Sequence, residues 1–195
     1  MKEKTLNIRE VILTVIIAIL CGVLYRLWTP IYDFADLLTG FSGQFVYGFW
    51  FIASIIAAYI IRKPGVAFLA EMAASSGELL TGSSYGLTTL LSGALQGLGA
   101  EAVLMAVRYR RWDLPVLMGM SVAATAGSFI VDYAFWGYAE KTVFVQTMSI
   151  ILRTVGSLFV CGLLGKWIVD LVAKTGVLNS YAIITSKKKP EWDKS

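Results

Sequence analysis

Two glutamates, Glu71 and Glu78, lie seven residues apart in the apolar stretch 64–81. Seven residues is close to two turns of an α-helix, so both carboxyl groups share one helix face. A charged carboxylate at the centre of a bilayer costs at least about 2.5 kcal/mol, so acids in such segments usually face a cavity, a partner or a bound cation. The spacing therefore predicts a polar site inside a membrane.

Polar and aromatic side chains also gather near the ends of other apolar segments. Asp132 and Trp136 are one helical turn apart, with Tyr133 beside them. Tryptophans near a membrane interface are ordinarily belt anchors, and for Trp136 the anchor and binding interpretations are equally open. Tyr85 begins the fourth segment. At helical spacing, one face of the second segment carries Gln44, Tyr47 and either Trp50 or Phe51.

Arg153 is the basic residue that we place well inside a segment, about two turns into the sixth. An unpaired arginine there would be costly, so it requires an acid partner, for which Asp132, Glu78 and Glu71 are the candidates. We interpret it as part of a structural ion pair that orients helices. Glu101 comes to about the same depth as Glu71, so hydrogen-bonded structural roles and ligand contacts are both open for these two acids.

The composition places these residues in a membrane protein. Of the 195 residues, 57% are hydrophobic and 15% are charged, and the mean hydropathy is +0.69. The apolar runs are long enough to span a hydrocarbon core of about 30 Å. We therefore predict an all-α, polytopic membrane protein, and we interpret the first apolar run as a retained span rather than a cleaved signal peptide.

Several function classes are disfavoured by missing residue types. The chain contains no histidine, no Walker-type glycine loop with its lysine and no Gly-x-Ser-x-Gly motif. Cys21 and Cys161 are isolated within apolar runs, where a small buried thiol is the ordinary interpretation. We expect no enzymatic activity, no cofactor and no metal site. The net charge of +4 is explained by basic membrane-edge loops, so nucleic-acid binding is not expected either.

Hydropathy, together with the proline, glycine and charged residues that separate the apolar runs, predicts six transmembrane helices. They lie at 9–29, 43–62, 64–81, 85–108, 114–137 and 145–174. The first is expected to end at Thr29-Pro30. Basic residues cluster before the first span, at 62–63, at 108–111 and after the sixth span, which predicts that both termini are cytoplasmic. Residues 1–180 then form one membrane domain, and 181–195 form a basic cytoplasmic tail.

Small residues at helical spacing permit close approach between helices. Gly93 and Gly97 give the fourth segment such a face, and Ala18 and Gly22 repeat the spacing in the first. Most such pairs pack helices within one bundle. The alternative for the first segment is a contact with another membrane subunit, and the spacing leaves both interpretations open.

Several short runs in the third to fifth segments form a recognisable set. They are Ala70-Glu71-Met72-Ala73-Ala74, Gly77-Glu78-Leu79-Leu80, Gly82-Ser83, Tyr85-Gly86, Gly93-Ala94-Leu95-Gln96-Gly97 with Glu101, and Val131-Asp132-Tyr133. Together these runs resemble the YkoE family of substrate-binding (S) components of energy-coupling factor (ECF) transporters. The resemblance covers about residues 5–180. It implies a six-helix S component of a bacterial plasma membrane that captures thiamine or its hydroxymethylpyrimidine precursor.

The resemblance also implies partners and a mechanism. A transmembrane coupling subunit and cytoplasmic ATPase subunits would supply the energy, and the loaded S component would topple in the membrane to deliver the vitamin. In S components the first span carries an Ala-xxx-Ala type motif for docking on the coupling subunit. Ala18 and Gly22 are the nearest counterpart, although glycine at the second place departs from the motif.

The candidate residues carry the groups that would be needed to bind thiamine. Its thiazolium cation calls for a carboxylate and aromatic faces, and its aminopyrimidine calls for amide or carboxylate partners. The predicted substrate-binding residues are Glu78, Asp132, Tyr85, Tyr133, Trp136, Glu71, Gln96, Glu101, Gln44 and Trp50. An acid-rich site would repel a phosphate ester.

Two other function classes are alternatives to an S component. A stand-alone proton-coupled transporter of organic cations would use Glu71 or Glu78 alternately for a proton and for substrate, and would need no ATPase partner. An intramembrane hydrolase with a carboxylate pair is the weaker rival, because Asp132 is the sole aspartate well inside a predicted span and no nucleophile motif occurs.

Overall fold

The structure is a computed structural model that describes residues 5–188. Within that range the chain is helical and contains no strand. The α-helices are α1 (Ile8–Leu37), α2 (Ile52–Ile61), α3 (Val66–Leu80), α4 (Thr88–Ala106), α5 (Leu114–Phe135), α6 (Val143–Ser157), α7 (Leu164–Lys174) and α8 (Ala182–Lys188). Two stretches have 3-10 winding, Ser42–Phe51 and Tyr138–Glu140, and Leu158–Leu163 has π winding between α6 and α7.

Five continuous helical segments of the described chain are long and apolar enough to cross a membrane. They are Ile8–Leu37, Ser42–Ile61, Thr88–Ala106, Leu114–Phe135 and Val143–Lys174. The third predicted span is a helix of 15 residues, α3. At 1.5 Å per residue it is about 22 Å long, shorter than a hydrocarbon core of about 30 Å. The chain is therefore a multi-pass membrane protein, and α3 is shorter than each of these five segments.

The predicted break at Thr29-Pro30 is wrong, because α1 continues through Pro30 to Leu37. Proline already has a helical φ, so within a helix it chiefly removes one hydrogen bond and crowds the preceding turn. Thr29 lies beside Pro30 and donates its hydroxyl to the carbonyl of Tyr25 at 3.4 Å. The helix ends instead where Gly40 takes a φ of +78° and donates its N–H to the carbonyl of Asp36.

The second predicted span is a compound helix. Its first half, Ser42–Phe51, has 3-10 winding, and its second half is α2. The 3-10 half packs on α6 with almost no space between the backbones. A Cβ added to Gly156 would overlap the carbonyl oxygen of Phe45, and one added to Gly48 would lie 2.7 Å from the Cα of Ser157. Glycine is required at both positions to allow this approach.

The core of the bundle places α3 between α1 and α4. Ala18 is 1% exposed, and a Cβ on Gly22 would lie 2.7 Å from the carbonyl oxygen of Ala74. On α3, Gly77 faces the Cα of Gly22. Ala18 and Gly22 are thus both buried against α3 within the chain, and their docking role stays a prediction.

The start of the predicted cytoplasmic tail belongs to the bundle. Ile183 of α8 is fully buried, and Arg62 at the end of α2 donates from Nη1 to the Ser186 hydroxyl at 2.9 Å. The guanidinium of Arg62 also lies 5.1 Å from the ring centroid of Tyr59. Residues 182–186 thus contact the bundle, and the domain boundary at 180 stays a prediction. Residues 189–195 of the predicted tail, and Lys2 and Lys4 of the first basic cluster, lie outside the described residues.

Candidate functional site

A cavity of about 220 Å³ opens at one end of the bundle. It lies at the end formed by the turn between α3 and α4 and the turn between α5 and α6. The basic clusters at 62–63 and 108–111 lie at the opposite ends of the same helices. The cavity is lined by Tyr32, Tyr47, Trp50, Ser75, Glu78, Tyr85, Thr88, Thr89, Ser92, Gln96, Asp132, Trp136, Tyr138, Lys141 and Arg153.

The 3-10 winding of Ser42–Phe51 determines which of its side chains reach this cavity. A 3-10 helix has three residues per turn, so Gln44, Tyr47 and Trp50 are eclipsed on one line. Tyr47 and Trp50 line the cavity, and their ring centroids are 5.2 Å apart. The choice left open between Trp50 and Phe51 is thereby decided, because Phe51 is fully buried in the core.

Glu78 is an acid on the cavity wall that forms no ion pair in the described chain, although the charge of Arg26 acts on it from beyond contact distance. Its side chain is 3% exposed, and none of the ion pairs within residues 5–188 includes it. The Ser83 hydroxyl donates a hydrogen bond to it at a long 3.4 Å. A buried carboxylate with so little compensation favours a bound cation or a proton.

Asp132 differs from Glu78 because it faces an arginine. Arg153 Nη1 lies 2.6 Å from Asp132 Oδ2. The same Nη1 donates to the Ser128 hydroxyl at 2.9 Å, and Arg153 Nε donates to Gln44 Oε1 at 2.7 Å. Asp132 Oδ2 lacks an aligned hydrogen bond in the described chain, so its contact with Arg153 is one of charge rather than of directed hydrogen bonding.

Aromatic rings complete the environment of Arg153. The guanidinium lies 3.6 Å from the centroid of the Tyr47 ring and 4.1 Å from that of Phe129. Both distances are within the range of cation–π attraction. Charge, hydrogen bonds and ring faces together compensate the burial of this arginine, which is 1% exposed.

A second group of aromatic residues crosses the cavity. Tyr85 lies in the turn between α3 and α4, with its ring centroid 6.2 Å from Trp50 and 5.4 Å from Trp136, both edge to face. Burial, together with the charges of Asp33 and Glu78, raises the pKa of Tyr85 to about 12. The phenol therefore remains neutral and able to donate a hydrogen bond at physiological pH.

Glu71 lies outside the cavity lining and caps a helix instead. Its Oε2 accepts the backbone N–H of Ser54 at 3.1 Å and the hydroxyl of Tyr25 at 3.3 Å. The hydroxyl of Tyr25 in turn accepts the N–H of Ala53 at 3.0 Å. Ala53 and Ser54 are in the first turn of α2, where backbone N–H groups lack α-helical partners.

Glu101 caps the N-terminus of α3 in the same way. Its carboxylate accepts the N–H groups of Gly65, Ala67 and Phe68 at 2.7, 3.0 and 3.3 Å. The Tyr109 hydroxyl donates to it at 2.6 Å. Carboxylates are favoured at helix N-termini by the free N–H groups and by the helix dipole. This explains a deep acid without a ligand.

Six of the ten predicted substrate-binding residues line the cavity: Glu78, Asp132, Tyr85, Trp136, Gln96 and Trp50. The other four do not. Gln44 holds Arg153 and also donates to the Tyr32 hydroxyl at 2.7 Å, while Tyr133 is 39% exposed and donates to Gln146. Glu71 and Glu101 are the helix caps described above.

Sequence reasoning missed several residues of the wall. Thr88, Thr89 and Ser92 were missed, although together with the predicted Gln96 they form a polar stripe at helical spacing on one side of α4, a signal present in the sequence. Tyr138 and Lys141 come from the turn before α6, and the ammonium of Lys141 lies 4.2 Å from the ring centroid of Tyr138. No local pattern marks those two residues, because the turn reaches the cavity only in the folded bundle.

Comparisons with known proteins agree on a family of transporters. Residues 9–130 match the family model described as ABC-type cobalt transport system, permease component. The HMP/thiamine permease protein YkoE of Bacillus subtilis (strain 168) is 38% identical over 190 residues, which is 95% of this chain and 94% of that protein. A crystal structure of an S component of an ECF transporter superposes with a TM-score of 0.90 at 37% identity, covering 94% of each chain. This chain therefore belongs to the YkoE family of ECF transporter S components.

Proposed function

We propose that this protein captures thiamine, or its hydroxymethylpyrimidine precursor, from the outer side of a bacterial cell membrane for import. The observation that carries the proposal is Glu78, an almost fully buried carboxylate on the cavity wall that forms no ion pair in the described chain. A thiazolium cation would supply the missing charge. The name of the Bacillus relative supports the same substrate class.

Other wall residues fit the remaining parts of such a ligand. Trp50, Tyr85 and Trp136 offer ring faces and edges to an aromatic cation. Gln96 offers an amide that both donates and accepts hydrogen bonds, which suits an aminopyrimidine. We propose that Asp132 contributes less than Glu78 to neutralising the bound cation, because Arg153 already neutralises Asp132.

The proposed topology has six crossings with both termini in the cytoplasm. It requires α3 to cross, and this is supported by the cavity and the basic clusters lying at opposite ends of the helices. The bias of basic residues toward the cytoplasm then directs the cavity outward. A short α3 is compatible with this topology, since it is enclosed by α1, α2 and α4 rather than by lipid alone.

Import would depend on partner subunits. We propose that a transmembrane coupling subunit and cytoplasmic ATPases provide the energy, since the chain has no Walker-type loop. The chain itself would bind and release substrate without covalent chemistry. The solved relative is an S component, which supports this division of labour.

The name of the matching family model raises cobalt as a second cargo. Divalent cobalt is commonly held by imidazole, and the sequence contains no histidine. Within residues 5–188, no group of three or more Cys, Asp or Glu side chains is placed to hold a metal ion. The donor set of the cavity therefore favours an organic cation.

The test is equilibrium binding of thiamine and of hydroxymethylpyrimidine to the purified protein in detergent. Binding is monitored through the change in tryptophan fluorescence. Glu78→Gln removes the charge and keeps the shape. We expect its thiamine dissociation constant to rise at least about tenfold, because a charge-assisted contact contributes about 1.5–3 kcal/mol. The constant for the uncharged pyrimidine should change less if Glu78 faces the thiazolium ring.

Glu140→Gln is the matched control, since Glu140 is exposed in the outer turn and does not line the cavity. Its affinity for both compounds should equal that of the wild type. Failure of the wild type to bind either compound would overturn the vitamin assignment. Uptake that follows a pH gradient and needs no ATPase would favour the proton-coupled transporter instead.

A further inference from the structure

The 3-10 stretch that forms one wall of the cavity is unusually long. It runs for ten residues, Ser42–Phe51, whereas such winding rarely persists beyond three or four. Its register is what aligns Gln44 with Arg153 and Trp50 with the cavity. With α-helical winding, each step of three residues would turn a side chain by about 60° off that line. Trp50 and Gln44 would then no longer share one face.

The change to α winding occurs at Ile52, two residues after Trp50, and buried side chains hold it there. The N–H of Ala53 donates to the Tyr25 hydroxyl, and the N–H of Ser54 donates to Glu71 Oε2. Tyr25 and Glu71 are also hydrogen-bonded to each other, and both are 0% exposed. They come from α1 and α3, so two neighbouring helices fix the point at which the winding changes.

Resting on the proposed function, we infer that Glu71 is a positioning residue for substrate binding. Together with Tyr25, it caps α2 and so holds the 3-10 stretch in the register that presents Tyr47 and Trp50 to the ligand. Glu71 itself does not touch the ligand, since it is absent from the cavity lining. An acid that is costly to bury is thereby given a role in the site without direct contact.

The experiment compares Glu71→Leu with Glu71→Gln. Leucine removes the acceptor, whereas the glutamine oxygen can still accept from Ser54 and Tyr25. For Glu71→Leu we expect a thiamine dissociation constant about tenfold higher, equivalent to 1.4 kcal/mol, and near-wild-type binding for Glu71→Gln. Hydrogen exchange of residues 42–54 should accelerate in the leucine variant even without ligand.

Glu101→Leu is the matched control, because it removes a cap of the same kind from α3. Its exchange should accelerate at 65–69 and its thermal stability should fall, while the affinity of the folded protein for thiamine stays close to that of the wild type. Binding is measured on the monodisperse fraction, well below each variant's unfolding temperature.

Three results would overturn the inference. The first is unchanged exchange of residues 42–54 in Glu71→Leu, which requires no ligand to observe. The second is wild-type affinity in that variant. The third is equal loss of binding in Glu71→Gln, which would indicate that the carboxylate itself contacts substrate. Absence of thiamine binding in the wild type would instead contradict the proposed function and leave the exchange result to decide the role of the cap.

Discussion

At the scale of single residues, the charged groups of the interior have separate tasks. Glu71 and Glu101 accept N–H groups at helix N-termini, although Oε1 of Glu71 is buried without a hydrogen-bond partner in the described chain, and Asp132 faces Arg153. Glu78 caps no helix terminus and forms no ion pair in the described chain. A buried acid that neighbouring groups compensate is explained by structure, whereas one that they leave uncompensated points to a ligand. This difference separates Glu78 from Glu101 and Asp132, and its place in the cavity lining separates it from Glu71.

The pair of Arg153 and Asp132 gives a prediction at this scale. Arg153→Met leaves Asp132 buried without its counter-charge, and breaking such a pair costs about 3–5 kcal/mol. We expect a clearly lower midpoint of thermal unfolding in detergent. The double variant with Asp132→Asn should recover part of the loss, because no uncompensated charge then remains.

Arg111→Met serves as the comparison. Arg111 also contacts an aspartate, Asp113, at 2.7 Å, but both side chains are exposed in the loop between α4 and α5. Its midpoint should not move measurably, since exposed ion pairs contribute little. A double variant less stable than Arg153→Met alone would contradict the role assigned to the pair.

At the scale of elements, close backbone packing explains where the winding departs from the α-helix. The 3-10 stretch lies against α6 at Gly48 and Gly156, and the helix that carries Gly156 changes to π winding two residues later. Short π stretches inside α-helices are frequently found near functional sites. The wall of the cavity is thus built by two irregular helices in contact.

Gly156→Ala tests this contact. The added methyl group would meet the carbonyl oxygen of Phe45, which is backbone and has little freedom to move. Overpacking of this kind costs about 1–3 kcal/mol, so we expect lower thermal stability together with weaker thiamine binding.

Gly119→Ala is the control for that substitution. A Cβ there would meet only a methyl group of Val103, at 3.4 Å, and alanine favours the helix. Its stability and affinity should be equal to or above those of the wild type. Unchanged behaviour of Gly156→Ala, measured by unfolding midpoint and dissociation constant, would show that the two helices can separate without affecting the site.

At the scale of the whole molecule, the two ends of the bundle differ in a way that agrees with the proposed capture of substrate from outside the cell. The cavity occupies one end, and the loops rich in arginine and lysine occupy the other. The face of α1 that is turned away from the bundle exposes large apolar residues over most of its length, among them Ile12, Ile19 and Leu27. Such a surface suits contact with lipid or with another membrane protein.

Cysteine labelling tests the topology directly. Ser84→Cys lies in the turn at the cavity end, and Ser180→Cys lies in the segment that connects α7 to α8; both positions are exposed. A membrane-impermeant maleimide should label Ser84→Cys in intact cells and label Ser180→Cys only after permeabilisation. Cys21 and Cys161 are buried and should give little background. Labelling of Ser180→Cys in intact cells would contradict cytoplasmic placement of the C-terminal end.

The sequence by itself determined the properties that depend on local composition. Apolar runs of sufficient length indicate membrane helices, and the cost of burying charge singles out Glu78 and Arg153 as residues that need an explanation. The resemblance of the short motifs to the YkoE family was also present in the sequence, and the comparisons confirm it. Each of these inferences requires only neighbouring residues.

Only the tertiary structure decided which groups meet. Glu71 reaches Ser54 across 17 positions, Glu101 reaches Gly65 across 36, and Arg153 reaches Gln44 across 109. Hydropathy does not encode such pairings, because hydrogen bonds and ion pairs depend on the relative rotation and depth of packed helices. For the same reason, the spacing of Ala18 and Gly22 predicted a small-residue face without showing that the face is turned toward α3. The 3-10 register that selects Trp50 over Phe51 likewise arises from contact with α6 and from the cap that Tyr25 and Glu71 provide.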